Sequence, residues 1–312
     1  MPTIRWLYLE TVEVFRHGPW NFLSYKYGTE EELDHLERLI QSGHQIHALF
    51  CEIPSNILLS SVNLLRIRAL ADKYGFIVVC DDTVAGYVNL DALPYVDVMA
   101  SSLTKTFSGA SNVTGGSLVL NPSSRHHDSI QRALATSYEN MYFPLDYNAL
   151  FANCQNIVWR VQRCGENTVP LVEMLSSHPS IARVHHPITS STLANYKSVM
   201  RHNGGYGNVF SIVFHDPRTA EYFYNVLDAC KGSSFGTNFT LVIPYVQLTN
   251  YWNQEKVLKY GVPHHILRVS VGLEDRNELM STFKEALRKV ESLKPEDDRV
   301  DRSLSSQAHG GE

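Results

Sequence analysis

Three short, largely apolar runs, 46–51, 77–80 and 96–100, each break off in polar residues: Glu52 after the first, Asp81-Asp82-Thr83 after the second, Ser101-Ser102 after the third. Runs of this length with abrupt polar ends read as buried strands, and strands buried on both faces belong to parallel sheets. The intervening segments have helical spacing. Thr29 with Glu32 three residues on makes a capping box ahead of Leu33, Leu36 and Ile40, which fall on one face and lead into the first run. After it, Ser60 or Ser61 can cap a helix whose apolar side is Val62, Leu65, Ala69 and Leu70 and which Gly75 ends. Strand, helix, strand in this order is a parallel crossover unit, so the fold class is α/β and ligands are expected where the strands stop.

Lys105 follows the third run within Ser101-Ser102-Leu103-Thr104-Lys105-Thr106-Phe107. A lysine at such a strand end can form a Schiff base with an aldehyde cofactor, and the hydroxyls of Ser102 and Thr104 can bond a phosphate beside it; a solvated surface lysine gives the same local pattern. Asp81 ends the neighbouring run and can face the same ligand. Pyridoxal phosphate needs that pair, a lysine for its aldehyde and a carboxylate for its pyridine nitrogen. Asn56, in Glu52-Ile53-Pro54-Ser55-Asn56, offers an amide to the ring oxygen, although Pro-Ser-Asn is also ordinary turn chemistry.

These stretches, together with Gly115-Gly116, Ser234-Phe235-Gly236-Thr237-Asn238-Phe239-Thr240-Leu241 and Arg268-Val269-Ser270-Val271-Gly272-Leu273-Glu274-Asp275, resemble the Cys/Met-metabolism family of pyridoxal-phosphate enzymes, and most closely its fungal cystathionine γ-synthase-like branch. The resemblance runs from about residue 8 to about residue 293. It implies a fold-type I transferase: a mostly parallel sheet with helices on both faces in a large domain, 1–155, a smaller α+β domain, 156–293, and a charged tail, 294–312, with too few apolar residues to pack. It implies pyridoxal 5'-phosphate held by Lys105, Asp81, Ser102, Thr104, Thr83 and Asn56, with Tyr8 stacked on the ring and sharing in catalysis alongside Lys105. Arg268 and, beside it, Ser234 would bind the substrate carboxylate. The residues alone leave Tyr8 open to a core role and Arg268 open to a structural salt bridge. The implied reaction is γ-replacement on an O-activated homoserine; a β- or γ-lyase of the same family uses the same residues. A homo-oligomer, dimer or tetramer, is implied as well.

The chain departs from the family's pattern in three substitutions: Ile57 where proline is usual after the asparagine, Phe239 where many members have glutamate, and Thr114 in place of a methionine. It also opens only a few residues before Tyr8. The family's N-terminal arm and first phosphate-binding turn are therefore expected to be lacking, with weaker cofactor binding, or a non-catalytic partner subunit, as the consequence.

Composition narrows the remaining classes. A net charge of −5 with no basic block gives no footprint for nucleic acid, and the expected partner is a small amino-acid substrate. Five cysteines without paired spacing, two of them inside the apolar runs, read as thiols rather than a disulfide or zinc framework. His185-His186 is not expected to bind metal, because neighbours on a strand point to opposite faces. No stretch reaches membrane-spanning length and no charged-then-apolar leader opens the chain, so the expected compartment is the cytosol. Helical spacing over 148–163 reads as a long connection into the second domain that Pro170 kinks or ends. Beyond it, strands are expected over 209–214 and 266–271, with helices over 217–229 and 275–293. Leu279, Phe283, Ala286, Leu287, Val290 and Leu293 form the buried face of the last helix.

Overall fold

The computed structural model describes residues 2–4, 9–18 and 21–292. Strands β1 (Pro2–Ile4), β2 (Leu23–Tyr25), β3 (Ala48–Glu52), β4 (Ile77–Asp81), β5 (Val98–Ser102) and β6 (Gly116–Leu120) form one sheet in the order β2-β1-β3-β4-β5-β6. Every neighbouring pair is parallel except β5 with β6. Helices α1 (Leu9–His17), α2 (Glu30–Gln41) and α3 (Leu64–Tyr74) cover this sheet. Alternation along β3 and β4 separates two faces. Leu49, Cys51, Val78 and Cys80 pack with Leu33 and Leu36 of α2 and Ile67 and Leu70 of α3, while Phe50 and Val79 pack with Val12 of α1.

The local expectations hold with two corrections. Thr29 caps α2, its hydroxyl accepting from the Glu32 amide, while the Glu32 carboxylate reaches back to the amides of Lys26, Tyr27 and Gly28. The cap of α3, however, is Asn63, whose side chain accepts from the Arg66 amide, and not Ser60 or Ser61. The later start rotates the buried face to Leu64, Ile67, Leu70 and Ala71, leaving Leu65 and Ala69 exposed. Val62 is buried ahead of the helix.

Helices α4 (His127–Ser137) and α5 (Pro144–Asn153) precede the long helix α6 (Ile157–Ser176), which contains Pro170. Pro170 does not end α6, because Leu171, Val172 and Leu175 beyond it are buried in the second core and their packing outweighs one lost backbone bond. The break falls earlier, in a short 3-10 turn at Cys154–Asn156. A second sheet follows: β7 (Ile181–His185), β8 (Val209–Phe214), β9 (Cys230–Lys231), β10 (Leu241–Pro244) and β11 (Leu267–Ser270), in the order β7-β8-β11-β10-β9. Its helices are α7 (Leu193–Lys197), α8 (Pro217–Val226), α9 (Tyr245–Thr249), α10 (Gln254–Leu258) and α11 (Arg276–Glu291). The predicted face of α11 is buried from Leu279 to Val290; Leu293 lies outside the described residues.

Two smaller apolar clusters join the sheets. Ile57 packs with Val213, Tyr245 and Ile266, and Leu59 and Val84 pack with Val209 and Phe235. The chain after β3 is thereby fixed against the second sheet, and that contact places Arg268 beside Asn56.

Candidate active site

The strand register assembles the site. Glu52 at the end of β3 stands beside Asp81 at the end of β4, and Asp81 stands beside Ala100 of β5, so Asp81 is central at the sheet's C-terminal edge. The chain leaving β5 forms a single π-helical turn, Leu103–Phe107, whose backbone departs from helical geometry at Lys105. A cavity of about 230 Å³ opens here. Asn56, Asp81, Thr83, Ser102, Thr104 and Lys105 line it, as the sequence led us to expect, together with Glu52, Pro54, Val84 and Phe235. A larger cavity of about 360 Å³ touches Thr83 and Ser102 from another side but contains none of Asn56, Asp81 and Lys105, so the chemistry belongs to the smaller one.

Lys105 Nζ donates to Ser234 Oγ at 3.1 Å and lies 5.2 Å from the centroid of the Phe235 ring. Burial raises the Asp81 carboxyl above its usual range, against hydrogen bonding from Thr83, whose amide donates to Oδ1 at 2.8 Å. Thr83 Oγ1 in turn accepts from the Ser102 amide at 2.8 Å, tying the end of β4 to the end of β5. The Thr104 hydroxyl is engaged with Gly115, accepting from its amide at 3.0 Å. Gly115 therefore anchors the lysine turn, while Gly116 opens β6 beside Ser102 and bonds Tyr142.

Arg268 is buried on β11, its guanidinium between the rings of Phe235 and Tyr245 at 5.0 and 5.1 Å. Nη1 donates to Asn56 Oδ1 at 3.1 Å, and Nη2 donates to the carbonyls of Ser233 and Ser234 at 2.7 and 3.0 Å. With Oδ1 occupied in this way, the Asn56 amide presents Nδ2, a donor, as its remaining group. Arg268 reaches the cavity through Asn56 and Phe235 instead of lining it. Ser234 lies between the two cations, its hydroxyl on Lys105 and its carbonyl on Arg268. Tyr8 lies outside the described residues.

Four lining residues, Glu52, Pro54, Val84 and Phe235, carried no role in the sequence reading, and two of them bear on the chemistry. Phe235 stands under both Lys105 and Arg268, and Glu52 Oε2 accepts from the main-chain N–H of Asn56 at 3.2 Å. Both sit inside quoted motifs, next to residues that were assigned, and adjacency was the available signal. Of the histidine pair, His185 ends β7 and His186 caps the following 3-10 turn, its Nδ1 accepting from the Ile188 amide; burial pushes their pKa values down to about 4 and about 3. Among the described residues no cluster of three metal-ligating side chains occurs, and no helix is long and apolar enough to cross a membrane.

The family described as Cys/Met metabolism PLP-dependent enzyme matches residues 4–288. The chain belongs to that family. It is 46% identical over 270 residues to the cystathionine gamma-synthase-like protein ankD of Aspergillus thermomutatus, covering 86% of this chain and 48% of that one. It is 38% identical over 285 residues to the cystathionine gamma-synthase of Neurospora crassa, covering 91% and 46%. Among solved structures, the cystathione gamma lyase CalE6 of Micromonospora echinospora superposes with a TM-score of 0.79 at 25% identity, over 92% of this chain and 75% of that one. The chain thus spans about half the length of the curated relatives it matches, and its fold is that of the family's PLP enzymes.

The cavity fits pyridoxal phosphate on its own chemistry. It offers a primary amine to an aldehyde, an amide donor to a ring oxygen, and a carboxyl that burial has deprived of water. Such a carboxyl is stabilised as the anion by a cation brought against it, which a protonated pyridine nitrogen is.

Proposed function

We propose that this chain forms the catalytic body of a PLP-dependent γ-replacement enzyme acting on an O-activated homoserine, with residues 1–155 as the cofactor domain and 156–293 as the smaller domain. The observation that carries the reading is the convergence of Lys105, Asp81 and Asn56 on one cavity, with Arg268 bonded to Asn56 behind it. The domain division is supported by α6, which begins at Ile157 and carries the chain from the first core into the second.

In this reading Lys105 Nζ would hold the cofactor's aldehyde, Asp81 would face its ring nitrogen, Asn56 Nδ2 would donate to its ring oxygen, and Ser102 and Thr104 would supply hydroxyls to its phosphate, with Thr83 holding Asp81 and the Ser102 amide in place. Tyr8 is assigned to the ring face. Bound pyridoxal phosphate supplies a sink for the electrons of a broken Cα–H bond. Lys105 Nζ, released when the substrate amine takes its place, removes the Cα proton and returns it as the replacement closes. Asp81 keeps the ring nitrogen protonated. Ser234, whose hydroxyl faces Lys105, and the Arg268 charge behind Asn56 and Phe235 are assigned to the substrate carboxylate, which fixes the Cα–H bond toward Lys105. Removal of a second proton, from Cβ, lets the γ-oxygen substituent leave as acetate or phosphate; a cysteine thiolate then forms the C–S bond of cystathionine at Cγ, and protons return to Cβ and Cα.

The test is product analysis with purified chain, added cofactor and an O-activated homoserine, with and without cysteine. Cystathionine formed only with cysteine is expected. Oxoacid and ammonia in equal amounts in both reactions would identify a lyase, the activity named for CalE6. No release of acetate or phosphate with any nucleophile would overturn the enzymatic reading. For the partner, a second copy of this chain is supported by an exposed apolar band around α5 and α6 that includes Leu145, Phe151, Val158 and Trp159.

A further inference from the structure

We propose that Arg160 is a positioning residue that fixes the Lys105 turn and ties it to the segment bearing Ser234; its importance to the cofactor rests on Lys105 being the cofactor lysine. Arg160 lies in the first turn of α6 and is only 3% exposed. Its Nη1 donates to the Thr106 carbonyl at 3.0 Å, and Nη2 donates to the Phe107 carbonyl at 2.7 Å and the Asn153 carbonyl at 3.0 Å. Nε donates to Asn156 Oδ1 at 2.8 Å, and Nη1 also reaches Asn238 Oδ1 at 3.4 Å. One planar fork therefore binds the two residues after Lys105, the α5–α6 junction and the Ser234 segment together. An ammonium cannot reproduce that geometry.

The packing around the fork allows little play. The Asn238 amide donates to the Gly109 carbonyl at 2.7 Å, and a Cβ on Gly109 would collide with Arg160 Nη1 and Asn238 Oδ1. The turn itself is closed by Ser108 N to Leu103 O and Gly109 N to Lys105 O, at 3.1 and 2.9 Å, while the carbonyls of Thr106 and Phe107 turn toward the guanidinium. Burying a cation among carbonyls costs desolvation, and burial lowers the Arg160 pKa accordingly. What the arrangement secures is the direction of Lys105. Its Nζ meets Ser234 Oγ, and Ser234 lies four residues before Asn238 on the same clamped segment. Loosening the fork moves the amine and its partner independently.

The experiment compares the intact chain with Arg160→Lys and Arg160→Gln by amide hydrogen exchange without cofactor, and by the pH titration of the visible band with pyridoxal phosphate added. In both variants the amides of Ser108 and Gly109 are expected to exchange at least about tenfold faster while those of β3 and β4 keep their protection. Cofactor affinity is expected to fall about tenfold, with a displaced titration midpoint, and lysine is not expected to rescue it. Unchanged exchange at Ser108 and Gly109, or an increase spread evenly over the fold with the titration unmoved, would overturn the proposal. A wild-type chain that gives no band at all would sink the cofactor reading instead, and the exchange comparison would still decide whether Arg160 holds the turn.

Discussion

Asp81 and Asp82 are neighbours at the end of β4, yet they face different cavities. Asp81 lines the cavity with Lys105, whereas Asp82 is buried in the wall of the larger one, hydrogen-bonded by Ser101. Asp81→Asn is expected to leave the chain folded but to lower γ-replacement by roughly a hundredfold or more, since a neutral amide no longer favours the charged ring nitrogen. Steady-state rates at saturating cofactor check this, and a loss of less than threefold would contradict it. Burial pushes the Asp82 carboxyl up to about 6 from an ordinary 3.8. The folded chain therefore keeps this proton over a pH interval in which the unfolded chain has released it. The contribution of Asp82 to stability is best below about pH 4 and worsens by about 3 kcal/mol as pH rises to 6, then levels off. Asp82→Asn removes that slope, so in urea melts the variant should gain on wild type between pH 4 and pH 7. A constant difference between the two across that range would count against it. At this scale Lys105, Asp81 and Asn56 were legible because strand ends in a parallel sheet collect ligand groups whatever the rest of the chain does. The bonds from Arg268 to Asn56, and from Lys105 to Ser234, span more than a hundred residues and have no local signal.

Among the elements, α3 shows what local rules can and cannot decide. Its ending at Gly75 and its place between β3 and β4 follow from pattern, but the starting residue was misread because serine and asparagine cap equally well. Ser61 is held elsewhere, its amide donating to Thr192 Oγ1 at 2.7 Å, a tertiary contact that periodicity does not register. Asn63→Ala should cost about 1 kcal/mol in denaturant melts. Ser60→Ala should cost clearly less, and the reverse order would argue against the observed cap. The segment carrying Ser234 is a second case. Gly236 has φ +74°, and a Cβ there would run into the Thr106 amide and lie 2.9 Å from the Lys105 carbonyl carbon, both main-chain atoms that no rotamer can move. Gly236→Ala is expected to destabilise the fold by about 1–3 kcal/mol and to weaken cofactor binding with it. A fully stable variant with undiminished cofactor affinity would contradict the close approach.

For the molecule as a whole, the strands of the first sheet and the main strands and helices of the second were readable from apolar spacing, and the helices on both faces of the first followed from the family resemblance; the long helix was placed too early, over 148–163 instead of Ile157–Ser176. The way the sheets meet was not readable, because it depends on single apolar residues such as Ile57 and Leu59 in what reads as loop. The same scale governs association. Phe151 and Trp159 are 63% and 57% exposed, and a second copy covering them would take large apolar side chains out of water. Sedimentation of the chain is expected to give a dimer or larger, shifted toward monomer by Trp159→Glu; a monomer at all concentrations would contradict that. The central claim is that one cavity at the edge of the first sheet holds pyridoxal phosphate through Lys105. Titrating the cofactor into the purified chain, with Lys105→Ala beside it, tests this most directly. The account predicts a saturable visible absorption band that borohydride fixes at Lys105 and that Lys105→Ala lacks, and a band equally strong in Lys105→Ala, or none in either protein, would contradict it.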